Sequence, residues 1–282
     1  MLLTITTTHR PATDLGFLLH KNPARPQSAS VSVGTAHVFY PEADDARCTA
    51  ALLLEVDPIG LVRGRGGRTA GPDAFSLGQY VNDRPYAASS LLAVALGKVF
   101  ASARRGVSKE RPELAGVPLP LEVSLPALSC RGGAEMAERF FGPLGWSVAA
   151  TRVPLDRTFP EWGDSRYVDL RLTGAVRLAD AVNHLYVGLP VLDDAKHYWV
   201  SDDEIDKLLR AGAGWLADHP DRDLITRRYL AHKGSLARQA LARLAEVDDA
   251  EPDALDDATA PARTGPADAD AGPDADERPD RP

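Results

Sequence analysis

Cysteine is scarce in this chain, which has only Cys48 and Cys130 among its 282 residues. Two cysteines this far apart cannot supply the close spacing of a zinc knuckle, and they are too few for a disulfide framework. We expect both thiols to be small buried hydrophobic groups. The simplest compartment for such a protein is the reducing cytoplasm.

Long hydrophobic runs are also missing. The longest apolar stretch with a helical pattern, 89–103, is interrupted by Lys98 and falls short of the roughly 20 residues that a membrane span needs. The first eight residues alternate like a strand and lack the basic and apolar regions of a signal peptide. The sequence therefore predicts a protein that is not exported and does not act at a membrane.

Motifs for catalysis and nucleotide binding are absent as well. There is no G-x-x-x-x-G-K-[ST] phosphate loop, since Gly97-Lys98 is followed by Val99, and there is no G-x-S-x-G elbow. The dipeptide Asp-Gly, which closely follows the lysine nucleophile in familiar nucleotidyltransferases, does not occur. We therefore predict no catalytic site, and no cofactor or metal bound by this chain.

Metal ligands at close spacing are few. The seven histidines form no H-x-x-x-H or H-E-x-x-H pair, so a helical two-histidine metal site is not encoded. Acidic residues cluster at 55–57, 193–194 and 202–204. Magnesium binding is one interpretation of these clusters, and solvated loops or charges at helix N-termini are the simpler one.

Charge is divided unevenly along the chain. From position 246 onward there are 13 acidic residues against three arginines, which leaves 27 acidic and 29 basic residues before it. Because 246–282 is also rich in proline and lacks aromatic residues, we expect a disordered acidic tail. An acidic tail can imitate nucleic acid for a basic partner, but a solvated spacer explains the composition more simply.

The remaining sequence predicts an α+β fold of two halves, 1–115 and 116–200, that share a β-α-β-β-α order. Predicted strands lie at 1–8, 28–40, 48–56, 119–125, 146–155 and 167–172, and predicted helices at 12–21, 86–103, 133–141 and 178–192. Residue identity does not repeat between the halves, so duplication is only one explanation of the shared order. The segments 105–118 and 157–165 have the composition of connecting loops.

A helical segment, 201–245, is predicted to close the two halves. Ser201-x-x-Glu204 is a capping box that places a helix start at Asp202. Pro220 suits the first position of a following helix, where its missing N–H is tolerated. The apolar faces of the two helices are formed by Ile205, Leu208, Leu209, Leu224, Ile225 and Tyr229. These apolar residues are best explained as core, whereas nearby basic and aromatic residues are not.

Basic residues suggest a nucleic-acid contact. The segment 63–68 alternates arginine with glycine, and it suits either phosphate binding or an ordinary surface loop. For an RNA-binding module, the predicted phosphate contacts are Arg63, Arg65, Arg68, Arg104, Arg105 and Lys109. Steep dependence of RNA affinity on salt would support that interpretation.

Several segments resemble one known family. KHYWVSDDEIDKLL at 196–209, GWLADHP at 214–220 and ITRRYL at 225–230 are the most informative. Further segments of the same kind lie at 2–9, 14–23, 38–42, 48–58 and 79–86. Together these segments resemble the N-terminal, ligase-associating region of the bacterial RNA 3'-terminal ribose 2'-O-methyltransferases of the HEN family.

This resemblance implies a part in RNA repair. In that family the region binds the ligase part of a bacterial polynucleotide kinase-phosphatase-ligase and stimulates its adenylation, with cleaved RNA such as tRNA as a further candidate partner. The S-adenosylmethionine and divalent metal of the family belong to a methyltransferase domain whose motifs this chain lacks. The predicted ligase contacts are Lys196, His197, Tyr198, Trp199, Arg227 and Arg228. These residues would alternatively join the C-terminal helices to the two halves. An RNA-end-binding module and an enzyme with scattered acidic and histidine residues are the other hypotheses.

Overall fold

A computed structural model describes residues 1–57, 89–194, 203–230 and six positions between 236 and 244. Its strands are β1 Leu2–Thr7, β2 Gln27–Val31, β3 Gly34–Ala43, β4 Cys48–Val56, β5 Leu119–Ser129, β6 Ser147–Pro154 and β7 Asp164–Val176. All seven form one antiparallel sheet in the order β2-β3-β4-β1-β5-β7-β6.

Seven α-helices accompany the sheet in the described part of the chain. They are α1 Asp14–Leu19, α2 Ser89–Val99, α3 Pro112–Ala115, α4 Gly133–Phe141, α5 Leu178–Asp193, α6 Asp203–Ala211 and α7 Arg222–Tyr229. Helices α2, α4, α6 and α7 all contact α5. The predicted α+β class, with C-terminal helices packed on the rest, is confirmed.

Alternation along the strands gives the sheet one apolar face. Leu3 and Ile5 of β1 are buried, and Leu52 of β4, which pairs with Leu3, is buried with them. The same face continues through Val123 of β5 and Leu172 of β7, which are paired and fully buried. Because side chains of a strand alternate between the two faces, one face of the sheet is available to pack against the helices.

The predicted repetition has a counterpart in the strand pairing. In the first half β1 pairs with β4, and in the second half β5 pairs with β7, so each half joins its first strand to its last. The two halves meet where β1 pairs with β5. One continuous sheet therefore runs through both halves.

Two of the predicted element boundaries are wrong. The predicted strand 28–40 is a hairpin of β2 and β3, because a two-residue turn follows Val31 and the chain resumes at Gly34 with φ +150°. A side chain at Gly34 would collide with the Glu55 carbonyl oxygen, so glycine is required there. The second error concerns Pro220, which precedes α7 because the chain still turns at Asp221, whose N–H donates to the His219 ring.

Other boundaries are close to the prediction. Strand β4 and helix α4 match the predicted ranges 48–56 and 133–141, while β5 and β7 extend beyond theirs. The capping residue Ser201, the predicted helix start at Asp202, the start of the predicted helix 86–103 and the acidic tail lie outside the described residues. No described helix is long and apolar enough to cross a membrane.

Candidate interaction surface

The predicted ligase contacts fall partly on α7. Arg227 is half-buried on this helix, and Arg228 follows it with a side chain that is 14% exposed. The other predicted contacts, Lys196, His197, Tyr198 and Trp199, lie outside the described residues. In sequence they begin two positions after Asp194, the end of the described segment that contains α5.

The side chain of Arg228, on α7, contacts the turn before α4 and the end of α5. Its guanidinium donates to the carbonyl oxygens of Arg131 and Val191, at 3.2 and 3.3 Å, and its Nε lies 3.7 Å from a carboxylate oxygen of Asp194. Arg131 belongs to the turn before α4, and Val191 lies in the last turn of α5. Arg228 therefore joins a C-terminal helix to the second half, which is the alternative role that the sequence left open. These contacts occupy several of the N–H donors of its guanidinium group.

The predicted RNA contacts that the structure describes differ in their surroundings. The guanidinium of Arg104 lies 3.6 Å from the ring centroid of Tyr186, and its Nε donates to Asn183 at 2.8 Å. Burial lowers the pKa of Arg104. Arg105 and Lys109 are exposed. The structure therefore brings Arg104 into a packed arrangement and leaves the other two at the surface, while Arg63, Arg65 and Arg68 lie outside the described residues.

A cavity of about 450 Å³ lies beside the segment 214–220. Its walls include Trp215 and two buried histidines, His184 and His219. Burial lowers the pKa of His184 to about 4 and also lowers the pKa of His219. Both rings are consequently neutral and weakly basic at neutral pH, which suits packing better than proton transfer.

The hydrogen bonds of His219 support a packing role. Its Nδ1 accepts from the Asp221 N–H at 3.0 Å, so Nε2 carries the ring hydrogen and donates to the Phe140 carbonyl oxygen at 3.0 Å. Both ring nitrogens are therefore engaged within the chain. His219 fastens the loop before α7 to the end of α4.

The thiols are poor candidates for nucleophiles. Cys48 and Cys130 are buried, and burial raises the pKa of each thiol to about 11. A thiol with so high a pKa has almost no thiolate at neutral pH. Within the residues that the structure describes, no group of three or more His, Cys, Asp or Glu side chains could hold a metal ion.

The loop between β6 and β7 carries an exposed aromatic pair that the sequence analysis did not single out. In this aromatic loop, residues 155–163, the rings of Phe159 and Trp162 stack at 4.8 Å with an angle of 15° between them. Leu155, Phe159 and Trp162 are 61%, 43% and 59% exposed. The detectable signal was two aromatic residues three positions apart in a segment whose composition predicts a loop.

The aromatic loop is held by its own backbone. The N–H of Trp162 donates to the carbonyl oxygen of Phe159, and the N–H of Leu155 donates to the carbonyl oxygen of Gly163, both at 3.0 Å. Residues 160–162 form a short 3-10 helix. Rigidly presented aromatic side chains lose little conformational entropy on binding, so this loop is suited to contact another macromolecule.

Comparison with known proteins gave one family and a set of similar structures. The family model described as "RNA repair, ligase-Pnkp-associating, region of Hen1" matches residues 1–245. A solved structure described as "Structure of Pnkp1/Rnl/Hen1 complex" has a TM-score of 0.56 at 16% identity, covering 88% of this chain and 55% of the matched chain. A second, described as "Structure of the Pnkp1/Rnl/Hen1 RNA repair complex", has a TM-score of 0.54 at 16% identity, with coverage of 88% and 56%.

These structural likenesses extend over much of the fold. At 16% identity they show a shared fold, and this chain spans just over half the length of the chains that it matches. The comparison with curated proteins found no match.

Proposed function

Since this chain belongs to the family of the ligase-Pnkp-associating region of Hen1, we propose that it binds the ligase part of a bacterial polynucleotide kinase-phosphatase-ligase and promotes adenylation of that ligase during RNA repair. The observation that carries the proposal is the family match over residues 1–245, which includes every residue of the described fold.

Activation by such a module needs no chemistry of its own. Adenylation requires the ligase lysine, ATP and metal to be held together. A partner that binds the competent ligase conformation more tightly than other conformations raises the population of that conformation, and the rate rises with it. The binding surface of this chain is therefore the part that matters for function.

Among the described residues, the aromatic loop is the surface that best suits a protein partner. Leu155, Phe159 and Trp162 are three of the seven large hydrophobic residues that are exposed in the described part, and they lie within nine consecutive positions. Aromatic residues and arginine dominate the energetics of protein interfaces, and Arg157 lies in the same loop. We include this loop with the predicted residues of 196–199 and with Arg227 in the proposed contact surface.

The test is ligase adenylation measured with labelled ATP, with and without this chain, together with co-elution of the two proteins. We expect a stable complex and faster formation of the ligase–adenylate. A complex without faster adenylation would disprove the activating part of the proposal. No complex at all would disprove the association.

A further inference from the structure

A second cavity, of about 270 Å³, lies between the turn before α4 and the strands β6 and β7. Three arginines contribute to its walls, and we call it the arginine pocket: Arg131 from the turn, Arg152 from β6 and Arg166 from β7. The remaining wall residues are Cys130, Gly132, Gly133, Ser165 and Val168. No acidic side chain appears among these described wall residues.

Two of the arginines come from neighbouring strands. Arg152 of β6 pairs with Val168 of β7, so the side chains of both point to the same face of the sheet. Arg166 lies two positions before Val168 on β7, in the stretch where the register between β6 and β7 shifts after Arg152. The pairing of β6 with β7 therefore brings Arg152 and Arg166 to the same cavity, beside the turn before α4.

The turn before α4 leaves room for the arginine side chains. Gly132 and Gly133 have φ values of +103° and +66°, which disfavour any residue with a side chain. The guanidinium nitrogens of Arg152 lie 3.8 and 3.9 Å from the position that a Cβ would occupy at Gly133. The Gly133 N–H itself donates to the Cys130 carbonyl oxygen, so the positive character of the pocket comes from the arginines.

The arginines are incompletely neutralised. Arg131 lies 3.4 Å from Asp194 and Arg152 lies 3.6 Å from Asp164, while Asp194 is shared with Arg228. Arg166 donates to the Tyr167 hydroxyl at 3.1 Å, so its hydrogen-bond partner there is a phenol and not a carboxylate. Three arginines thus line one cavity, and the carboxylates that contact Arg131 and Arg152 lie outside its walls.

We propose that the arginine pocket binds a phosphate group. Guanidinium groups present planar sets of N–H donors that match phosphate oxygens, and several of them around one cavity favour a dianion. The chemistry alone fits inorganic phosphate, a phosphate at an RNA end or a backbone phosphate of RNA. Our preference for RNA rests on the proposed function in RNA repair. The proposal of a phosphate site is independent of that function.

The test uses the full chain and follows the backbone amide resonances of Gly132 and Gly133 by NMR. The probes are inorganic phosphate, a single-stranded RNA with a 5'-monophosphate, and the same RNA with a 5'-hydroxyl. The test variant combines Arg152→Gln with Arg166→Gln. The matched control is Arg171→Gln, because Arg171 and Arg152 have side chains that are both 64% exposed and each lies near one carboxylate.

Phosphate should shift both glycine resonances in the parent chain and in the control. The double variant should bind phosphate at least about tenfold more weakly, because charge-assisted hydrogen bonds are lost. Tighter binding of the 5'-phosphorylated RNA than of the 5'-hydroxyl RNA would identify an RNA end as the source. Equal binding of the two RNAs would identify the backbone. Binding of inorganic phosphate alone would keep the phosphate site and remove RNA from it.

Two results would overturn the phosphate site. The first is the absence of any shift at the two glycines with all three probes. The second is an unchanged affinity in the double variant, which would place the bound phosphate elsewhere. Co-elution with the ligase, measured on the same variants, reports the proposed function separately. If the double variant lost the ligase and the parent bound no phosphate, the pocket would be a protein contact.

Discussion

The indole nitrogen of Trp146 donates a hydrogen bond to Nδ1 of His184 across 3.2 Å. Because Nδ1 accepts, the hydrogen of the neutral imidazole lies on Nε2. Both side chains are buried, and the ring of Trp215 meets His184 edge-on at 5.3 Å. The neutral imidazole of α5 is therefore packed between the residue that precedes β6 and the segment that joins α6 to α7.

This arrangement predicts a loss of stability in mild acid. His184 has a pKa of about 4 in the folded protein, against an ordinary value of 6.5. As the pH falls, the unfolded chain therefore binds a proton at His184 before the folded protein does. Above pH 6.5 this histidine does not change the stability. Between pH 6.5 and about 4 the free energy of unfolding falls by up to about 3 kcal/mol. His184→Gln, which keeps an acceptor for Trp146, should flatten this dependence in urea unfolding. The exposed-site variant His20→Gln should not, and parallel curves for His184→Gln and the parent would contradict the assignment.

Gly188 of α5 is predicted to be intolerant of any side chain. A Cβ there would lie 2.8 Å from the Phe140 ring and 2.9 Å from the Phe141 ring, and both rings are fully buried. Gly188→Ala should lower the free energy of unfolding by about 2 kcal/mol, because the overpacking exceeds the gain in helix propensity. The control is Gly116→Ala, at φ −93° with nothing within 4 Å, which should unfold like the parent. Equal effects in the two variants would disprove the packing argument.

Arg104 is predicted to stabilise the fold through its planar group. Arg104→Lys removes the stacking on Tyr186 and the hydrogen bond to Asn183, and should lower the free energy of unfolding by about 1–2 kcal/mol. The neighbouring exposed Arg105→Lys should change it by less than about 0.5 kcal/mol. Chemical unfolding of the two variants decides the matter. If Arg104→Lys were as stable as the parent and bound RNA with a shallower salt dependence, Arg104 would be a phosphate contact instead.

Variants of Arg228 and Arg227 should distinguish a role in the fold from a role in partner binding. Arg228→Ala removes the donor to two carbonyl oxygens and one of the two arginines beside Asp194, so we expect a loss of about 2–3 kcal/mol in unfolding free energy. Arg227→Ala should keep the stability of the parent, and it should weaken co-elution with the ligase if the predicted contact is correct. Loss of stability in both variants would assign both arginines to the fold.

The aromatic loop should matter for binding and little for stability. Trp162→Ala combined with Phe159→Ala removes exposed rings, so the melting temperature should change little. Binding to the ligase should weaken by at least about 2 kcal/mol, or roughly thirtyfold, if the loop is a hot spot. Val117→Ala, at an exposed apolar residue elsewhere in the chain, is the matched control. Unchanged ligase affinity in the double variant would remove the loop from the contact surface.

Local pattern was sufficient for most of the secondary structure. Helix α4 and strand β4 have the ranges that the sequence predicted, 133–141 and 48–56, because the pattern of residues within each short segment indicates its structure. The hairpin of β2 and β3 was missed because alternating residues continue on both sides of a two-residue turn. A single sequence does not distinguish that turn from a continuation of the strand.

The candidate sites were less predictable. The sequence suggested Arg104 as a phosphate contact, and it left Arg228 open as either a ligase contact or a link between the C-terminal helices and the two halves. Their partners, Tyr186 and the carbonyl oxygens of Arg131 and Val191, are remote in the chain. The aromatic loop and the arginine pocket were missed for the same reason, because exposure and convergence depend on which strands become neighbours.

What the sequence by itself determined is the α+β class, the position of most elements, the uneven distribution of charge and the family. These follow from residue spacing and from motifs, which are properties of short segments. The tertiary structure alone decided that β1 lies between β4 and β5, that Arg228 turns inward, and that three arginines surround one cavity. Strand pairing and desolvation of charge depend on groups far apart in the chain, and only the folded protein brings those groups together.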